Sequence, residues 1–162
     1  MKNRSERNTQ AVTIPKTPRV SIVDDDESVR EAINSLLRSV GLHAEVFASA
    51  EEFLSSGYQH DAECLILDVR MPDMSGLRLQ EQLTCAECDI PVILITAHAS
   101  DTQARTCALQ AGAVDFLIKL FSEEALLNDV YTALGSKQEG VSYRSKGGHH
   151  VCRDAKSPGW TN

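Results

Sequence analysis

CLILD at residues 64–68 and VILIT at residues 92–96 are two short, nearly continuous apolar runs. Runs of this kind indicate strands buried on both faces, as in a parallel sheet that is covered by helices on each side. Three further strands are predicted around them, at residues 19–24 (RVSIVD), 43–47 (HAEVF) and 114–118 (VDFLI). The sequence therefore predicts a parallel sheet of five strands.

A segment with helical character follows each predicted strand. After the first strand, apolar residues recur at spacings of three and four until a glycine interrupts them, at Ala32, Ile33, Leu36, Leu37 and Val40. Ser49 and Ser122 are predicted N-caps of the second and fifth helices, and Gly112 ends a fourth helix over residues 101–111. Five consecutive strand–helix units predict a doubly wound α/β fold, a three-layer (βα)5 sandwich.

The 162 residues suffice for one domain with tails, since domains commonly contain roughly 100–200 residues. The strand and helix pattern covers residues 19–134, which we expect to form that domain. Residues 1–18 are polar and residues 135–162 show no clear period. Both ends are predicted to be flexible, and the second is either a tail or the beginning of a truncated linker.

The net charge of −7 is unevenly distributed, because the acidic residues concentrate in residues 20–134 while both ends are basic. We expect no direct binding of nucleic acid by this chain, since phosphate contacts need clustered Lys and Arg. No apolar run approaches the roughly 20 residues that cross a bilayer. The first residues, MKNRSERNTQ, lack the apolar segment of a secretory signal. We therefore expect a cytoplasmic protein without a membrane partner.

Polar residues stand at the carboxyl ends of four predicted strands. They are Asp24, Asp25 and Asp26 after the first, Asp68 at the end of the third, Thr96 at the end of the fourth and Lys119 after the fifth. Ligands of open parallel sheets bind at this edge. Clustered carboxylates repel one another unless a cation lies among them, and oxygen ligands without His or thiolate favour Mg²⁺. The sequence therefore predicts a Mg²⁺ site at this edge.

These residue types suit a phosphoryl group as the substrate. A Mg²⁺ ion can bridge phosphoryl oxygens, Lys119 can supply a positive charge, and Thr96 can supply a hydrogen bond. Asp68 is the candidate nucleophile, because the acids at 24–26 are better placed to bind the metal. An acyl phosphate on Asp68 would be a hydrolysable mark, which suits a signal.

At these residues the sequence resembles the receiver domain of two-component response regulators. The resemblance covers residues 19–134 and rests on four motifs: IVDDDESVR at 22–30, LILDVRMPDMSG at 65–76, ITAH at 95–98 and AGAVDFLIK at 111–119. The amino-acid sequence around Asp68 and that of the last motif are most similar to those of receivers of the FixJ/NarL kind. The resemblance implies the flavodoxin-like fold of CheY, with sheet order 2-1-3-4-5.

The resemblance also implies a role for each matching residue. Asp25 corresponds to the direct Mg²⁺ ligand, Asp24 to a ligand acting largely through water, Asp68 to the phosphorylated aspartate and metal ligand, and the Arg70 backbone carbonyl to the remaining metal ligand; Thr96 corresponds to the switch hydroxyl, Lys119 to the phosphate-binding lysine, and Phe116 to the aromatic switch. Asp26 matches a variable third acid and is left out of the site.

The implied mechanism is phosphotransfer from the phosphohistidine of a histidine kinase, or of a phosphotransfer protein, to Asp68. Thr96 then moves towards the phosphoryl oxygens and Phe116 turns inward, which reshapes a surface formed by the fourth helix, the fifth strand and the fifth helix. That surface is implied to mediate homodimerisation or partner binding. Arg70 and His98, each two residues after a site residue, are expected to neighbour the phosphoryl group.

One departure from the family pattern is Leu120, where the family usually has a proline after the lysine, with a cis bond between the two residues. A cis bond before a residue other than proline costs about 2.5–4 kcal/mol, so we expect a trans or strained Lys119–Leu120 bond. Leu120 supports an alternative, a receiver that binds partners without being phosphorylated.

A second alternative is a metal-dependent phosphatase of the haloacid-dehalogenase kind. It would use the D-x-D pattern of Asp24 and Asp26, with Thr96 and Lys119 as its other motifs. That chemistry needs a further acidic pair beyond the lysine, which is absent from the strand ends, and it has no use for Asp68.

Overall fold

The computed structural model describes residues 17–138, in which five strands alternate with five α-helices. In chain order the elements are β1 (Arg19–Val23), α1 (Glu27–Ser39), β2 (His43–Phe47), α2 (Ala50–Ser56), β3 (Cys64–Asp68), α3 (Gly76–Cys85), β4 (Val92–Thr96), α4 (Thr102–Gln110), β5 (Asp115–Ile118) and α5 (Glu123–Gln138). A single 3-10 turn, Tyr58–His60, lies between α2 and β3.

The five strands form one parallel sheet in the order β2-β1-β3-β4-β5. This confirms both the predicted doubly wound fold class and the implied order. The central strands β3 and β4 are buried at every position, as their continuous apolar runs predict. No helix within residues 17–138 is both long and apolar enough to span a membrane.

Two apolar layers cover the sheet, one on each face. Alternate residues of β3 divide between them: Leu65 and Leu67 pack in one layer, while Cys64 and Ile66 pack in the other. Helices α2, α3 and α4 contribute to the first layer, and helices α1 and α5 contribute to the second. The two layers hold the strands rigidly, so the residues at the strand ends have fixed positions.

The helix ends follow local capping chemistry. Ser49 Oγ accepts a hydrogen bond from the Glu52 amide at 3.1 Å, and Glu52 Oε2 accepts one from the Ala48 amide at 2.7 Å, close to a capping box. Gly112 has a φ of 93°, a left-handed conformation that favours glycine.

Helix α5 differs from the prediction because it continues to Gln138, beyond the expected limit at Leu134. Gly135 does not end the helix: the space around its Cα is open, and its φ is not in the left-handed region. The rest of the predicted tails, residues 1–16 and 139–162, lies outside the described residues, so their flexibility stays a prediction.

Gly76 fixes the loop that connects β3 to α3. A Cβ atom at this position would lie 2.2 Å from the backbone oxygen of Asp68, a distance that real Cβ atoms do not tolerate. The Gly76 amide also donates a hydrogen bond to the Val69 carbonyl at 2.9 Å. The first turn of α3 therefore lies directly against the end of β3.

Gly76→Ala is expected to lower the free energy of unfolding by roughly 2–4 kcal/mol, because the backbone of Asp68 must shift to relieve the overlap. Gly135→Ala is the matched control, since its added methyl group meets open space within α5. It should raise the free energy of unfolding by about 0.5–1 kcal/mol through helix propensity. Urea denaturation measures both changes, and equal effects of the two variants would contradict the predicted overlap.

Candidate functional site

Three carboxylates meet at the carboxyl ends of β1 and β3. Asp24 is fully buried, Asp68 is 3% exposed, and Asp25 faces solvent. One carboxylate oxygen from each of them lies within 4.8 Å of the other two. The parallel pairing of β1 with β3 produces this cluster, because it brings the carboxyl ends of both strands to the same edge of the sheet.

The three consecutive acids after β1 have different environments. Asp24 Oδ1 accepts a hydrogen bond from the Asp26 amide at 2.9 Å, which turns the chain sharply at the strand end. Asp26 Oδ1 accepts one from the Ser28 amide at 2.9 Å and so caps α1. Arg30 donates to the Asp24 backbone carbonyl at 2.7 Å. Asp26 therefore has a structural role as the N-cap of α1, which begins at Glu27.

Lys119 joins the cluster from the end of β5. Its Nζ lies 3.1 Å from Asp24 Oδ2 and 3.2 Å from Asp68 Oδ1, and its side chain is 20% exposed. The Lys119 amide donates a hydrogen bond to the Thr96 carbonyl at 2.6 Å, which fixes where the side chain enters the cluster. One ammonium group thus contacts two of the three carboxylates, and the cluster keeps an excess of negative charge when all three are ionised.

The pKa values of Asp24, Asp68 and Lys119 reflect this excess of negative charge. Burial raises the pKa of Asp68 to about 7, and the neighbouring charge of Asp24 adds to the rise. Burial also raises the pKa of Asp24. Burial acts to lower the pKa of Lys119, but its contacts with Asp24 and Asp68 outweigh burial and raise it. Ionised Asp24 and Asp68 are costly here without further positive charge.

The acidic cluster of Asp24, Asp25 and Asp68 has the ligand chemistry of a divalent-cation site. Asp24 Oδ2 is buried and, among the described residues, has no hydrogen-bond partner in good geometry, although Lys119 Nζ lies nearby. A small oxygen-ligand set of this kind, open to solvent at Asp25, fits an ion that keeps several water ligands. The residues present therefore fit Mg²⁺.

Thr96 ends β4 next to the cluster, but its hydroxyl contacts a residue that the sequence did not single out. Thr96 Oγ1 donates a hydrogen bond to Asp101 Oδ2 at 2.8 Å and accepts one from the His98 amide at 3.2 Å. The Arg70 side chain reaches the same carboxylate: its Nε donates to Oδ2 at 3.0 Å and its Nη2 donates to Oδ1. His98 itself is exposed.

Asp101 is thus the residue that sequence reasoning missed as part of the site. Its position before an apolar helical segment indicates only a helix start. The hydrogen bond from Arg70 lowers the pKa of Asp101, and the hydrogen bond from Thr96 contributes in the same direction. Asp101 therefore stays ionised and holds both partners through charge-assisted hydrogen bonds.

Phe116 lies in the core rather than on the surface. Its side chain is 4% exposed and packs in the apolar layer that also contains Leu94 and Ala108. The ring is therefore buried in this structure, and its role as the aromatic switch stays a prediction.

Leu120 has an unusual backbone conformation. No peptide bond among the described residues is cis, so Lys119–Leu120 is trans, one of the two outcomes expected from the sequence. The φ of Leu120 is 72°, in the left-handed region, and its side chain is fully exposed. The strain is local and no side-chain burial offsets it.

Comparison with known families shows the family to which this fold belongs. The response regulator receiver domain family matches residues 20–131. The chain belongs to this family. As a receiver it is a component of two-component signalling, and receivers as a class are not enzymes with a substrate of their own.

This receiver is similar to several full-length response regulators. It is 49% identical over 115 residues to the response regulator protein TmoT of Ectopseudomonas mendocina, covering 71% of this chain and 52% of the relative. It is 38% identical over 126 residues to the transcriptional regulatory protein FixJ of Azorhizobium caulinodans, covering 78% of this chain and 59% of the relative. The chain therefore spans about half the length of these relatives.

Solved structures agree with the receiver fold. The response regulator StyR superposes with a TM-score of 0.71 at 46% identity, covering 76% of this chain and 62% of StyR. The crystal structure of FixJ-N superposes with a TM-score of 0.67 at 36% identity, covering 74% of this chain and 95% of FixJ-N.

The raised pKa of Asp68 predicts how stability depends on pH in metal-free buffer. In the folded protein the Asp68 carboxyl group keeps its proton up to about pH 7, whereas an aspartate with an ordinary pKa of 3.8 loses its proton at about pH 4. The contribution of Asp68 to the free energy of unfolding should therefore fall as pH rises from about 4 to about 7. Asp68→Asn should flatten this fall and be more stable than the wild type at pH 8.

Urea denaturation in EDTA at a series of pH values measures this difference. Asp73→Asn is the matched control, because Asp73 lies in the same loop but is exposed. It should retain the wild-type profile. An Asp68→Asn profile as steep as that of the wild type would contradict the prediction.

Leu120→Gly tests the backbone strain next to Lys119. Relief of a left-handed leucine is worth roughly 1–2 kcal/mol, which exceeds the roughly 0.5–1 kcal/mol that glycine loses in chain entropy. The variant should therefore raise the free energy of unfolding by about 0.5–1 kcal/mol. Val40→Gly is the control, since Val40 is also exposed but has a φ of −104°, and it should lower stability. Equal losses in both variants would exclude strain at Leu120.

Proposed function

We propose that this receiver accepts a phosphoryl group on Asp68 from the phosphohistidine of a histidine kinase or of a phosphotransfer protein. The observation that supports this most directly is the environment of Asp68. Its carboxylate lies at the end of the central strand β3, within 4.8 Å of two further carboxylates and 3.2 Å from the Lys119 ammonium. A nucleophile, a cation site and a fixed positive charge thus occupy one edge of the sheet.

In the proposed transfer, a carboxylate oxygen of Asp68 attacks the phosphorus atom of the phosphohistidine. A phosphorus–oxygen bond forms, and the phosphorus–nitrogen bond breaks. The bonding electron pair returns to the imidazole nitrogen of the donor, which takes up a proton from solvent. The product on this chain is an acyl phosphate. Its hydrolysis by water releases inorganic phosphate and restores the Asp68 carboxylate.

Lys119 acts on the phosphoryl group as a point charge. Its ammonium is already 3.2 Å from Asp68 Oδ1 and retains its proton because of the surrounding acids. When the acyl phosphate forms, the carboxylate charge that Lys119 pairs with moves onto the phosphoryl oxygens. Lys119 can follow that charge with a small change of its side chain, since its Nζ also contacts Asp24.

Mg²⁺ is the proposed cofactor of this transfer. Asp24, Asp25, Asp68 and the backbone carbonyl of Arg70 would hold it, with Asp24 acting largely through water. When bound, the ion supplies positive charge that offsets the repulsion between the carboxylates and the incoming phosphoryl oxygens. The buried Asp24 Oδ2 and the raised pKa values of Asp24 and Asp68 support this assignment.

The proposed output is the α4-β5-α5 surface, formed by Thr102–Gln110, Asp115–Ile118 and Glu123–Gln138. Leu109, Ile118 and Tyr131 are large apolar residues on these elements that are 39%, 40% and 50% exposed. Exposed apolar side chains of this kind support homodimerisation or docking of a partner. Thr96, at the end of β4, and Phe116, within β5, are the proposed switch residues. Among the longer relatives, FixJ is named a transcriptional regulatory protein. That this chain itself does not bind nucleic acid, and that it is cytoplasmic, stay predictions.

Incubation with acetyl phosphate and Mg²⁺, followed by intact mass measurement, tests the proposed function. The wild type should gain one phosphoryl group and lose it again over time in buffer. Asp68→Asn should gain none, because it lacks the nucleophile. Asp73→Asn, an exposed acid in the same loop, should behave as the wild type.

Two outcomes would contradict the proposal. No gain of mass in the wild type would favour a receiver that binds partners without phosphorylation. Continuous hydrolysis of a generic phosphomonoester, lost in Asp24→Asn but retained in Asp68→Asn, would favour the phosphatase alternative.

A further inference from the structure

Asp101 links the switch hydroxyl to the loop that carries the phosphorylation site. Thr96 Oγ1 and Arg70 Nε both donate hydrogen bonds to Asp101 Oδ2, at 2.8 Å and 3.0 Å, and Arg70 Nη2 donates to Oδ1. The Asp101 side chain is only 9% exposed, whereas that of Arg70 is 58% exposed. The carboxylate of Asp101 is therefore satisfied mainly by these three donors rather than by water.

The Thr96 hydroxyl cannot serve Asp101 and a phosphoryl group at the same time. A hydroxyl carries one proton and donates one strong hydrogen bond. In this structure that proton points to Asp101, and the oxygen accepts from the His98 amide. Phosphoryl oxygens are acceptors only, so Thr96 must leave Asp101 before it can bind them.

The Asp101 carboxylate also has an alternative set of hydrogen-bond donors. It occupies the N-cap position of α4, yet its side chain makes no capping hydrogen bond to the helix, which lies wholly within the described residues. Aspartate is a preferred N-cap, because its carboxylate accepts from the free amides of the first turn. The carboxylate is instead turned towards Arg70 and Thr96.

From these contacts we infer that Asp101 is a positioning residue that holds Thr96 in the resting state, and that phosphorylation of Asp68 releases Asp101 from Thr96 to cap α4. This inference rests on the proposed function and adds a residue to it. Two arrangements of one carboxylate, each satisfied by different donors, give a two-state element of the kind that a switch requires.

The charge on the phosphoryl group supplies the bias between the two arrangements. An acyl phosphate on Asp68 carries about two negative charges, roughly one more than the carboxylate that it replaces, and Arg70 follows Asp68 by two residues. That charge competes with Asp101 for the Arg70 guanidinium and for the Thr96 hydroxyl. Once both donors are withdrawn, the free amides of the first turn of α4 can donate to the Asp101 carboxylate instead, because Asp101 is the N-cap residue of that helix. The release therefore reaches α4, part of the α4-β5-α5 surface.

The inferred release of Asp101 from Thr96 does not require a movement of Phe116. Phe116 is already buried in this structure, so the release of Asp101 does not depend on an inward turn of its ring. The contact between Thr96 and Asp101, in contrast, cannot persist when Thr96 binds a phosphoryl group.

Asp101→Asn separates the two roles of the residue. Asparagine remains a good N-cap but is uncharged, so it holds Arg70 and Thr96 more weakly. The variant should bind beryllofluoride, in the presence of Mg²⁺, with an apparent dissociation constant lowered by about three- to tenfold, because the fraction of protein with Thr96 free rises. In the absence of beryllofluoride, the Thr96 methyl resonance should shift towards its position in the saturated complex.

Two controls distinguish positioning from a general effect. Asp61→Asn removes the acid of a comparable but exposed pair, Arg19 with Asp61 at 3.1 Å, and should leave the affinity for beryllofluoride unchanged. In a Thr96→Val background there is no hydroxyl to release, so Asp101→Asn should produce no gain. Unchanged or weaker binding by Asp101→Asn, or an equal gain in the Thr96→Val background, would overturn the inference.

Failure of the proposed function gives a different pattern. If the wild type and Asp68→Asn respond identically to beryllofluoride, the site does not bind phosphoryl mimics at Asp68, and both proposals are wrong. If the wild type responds through Asp68 but Asp101→Asn fails the tests above, only the role of Asp101 is wrong.

Discussion

The burial of two carboxylates side by side is the constraint on which the rest of this structure depends. Asp24 and Asp68 end adjacent parallel strands and are almost wholly removed from water. Lys119 offsets part of their charge, and the raised pKa values of both acids show that the offset is incomplete. An edge built in this way is poised to gain positive charge, and this is why we propose it as the site of Mg²⁺ and of the phosphoryl group.

The surrounding loops connect this fixed edge to α3 and α4, and we propose that they report its state. Gly76 brings the start of α3 against the Asp68 backbone, so the acceptor strand cannot shift independently of the loop that follows it. On the other side, Thr96, Arg70 and Asp101 form a small network that lies between Asp68 and α4. In the proposed account, the rigid part of the site binds the cation and the phosphoryl group, and the network beside it has two ways to satisfy its donors and acceptors.

Much of this arrangement follows from the sequence, because strands and strand ends have local signals. The bounds of β2, β3 and β4 are as predicted, and the resemblance supplied the sheet order. The end of α5 did not follow, since Gly135 looks like a helix stop and is instead tolerated in an open position. Asp101 was missed because an N-cap residue has the same sequence signal whether it caps its helix or turns to Arg70, 31 positions away.

Calorimetric titration with Mg²⁺ is the most direct test of the central claim that Asp24, Asp25 and Asp68 form one cation site. Asp25 is exposed, so Asp25→Asn can remove a ligand without disturbing the core. The wild type should bind one Mg²⁺ ion per chain, and Asp25→Asn should bind it at least about tenfold more weakly, the loss expected when a metal site is impaired. Absence of Mg²⁺ binding by the wild type, or equal binding by Asp25→Asn, would contradict the account.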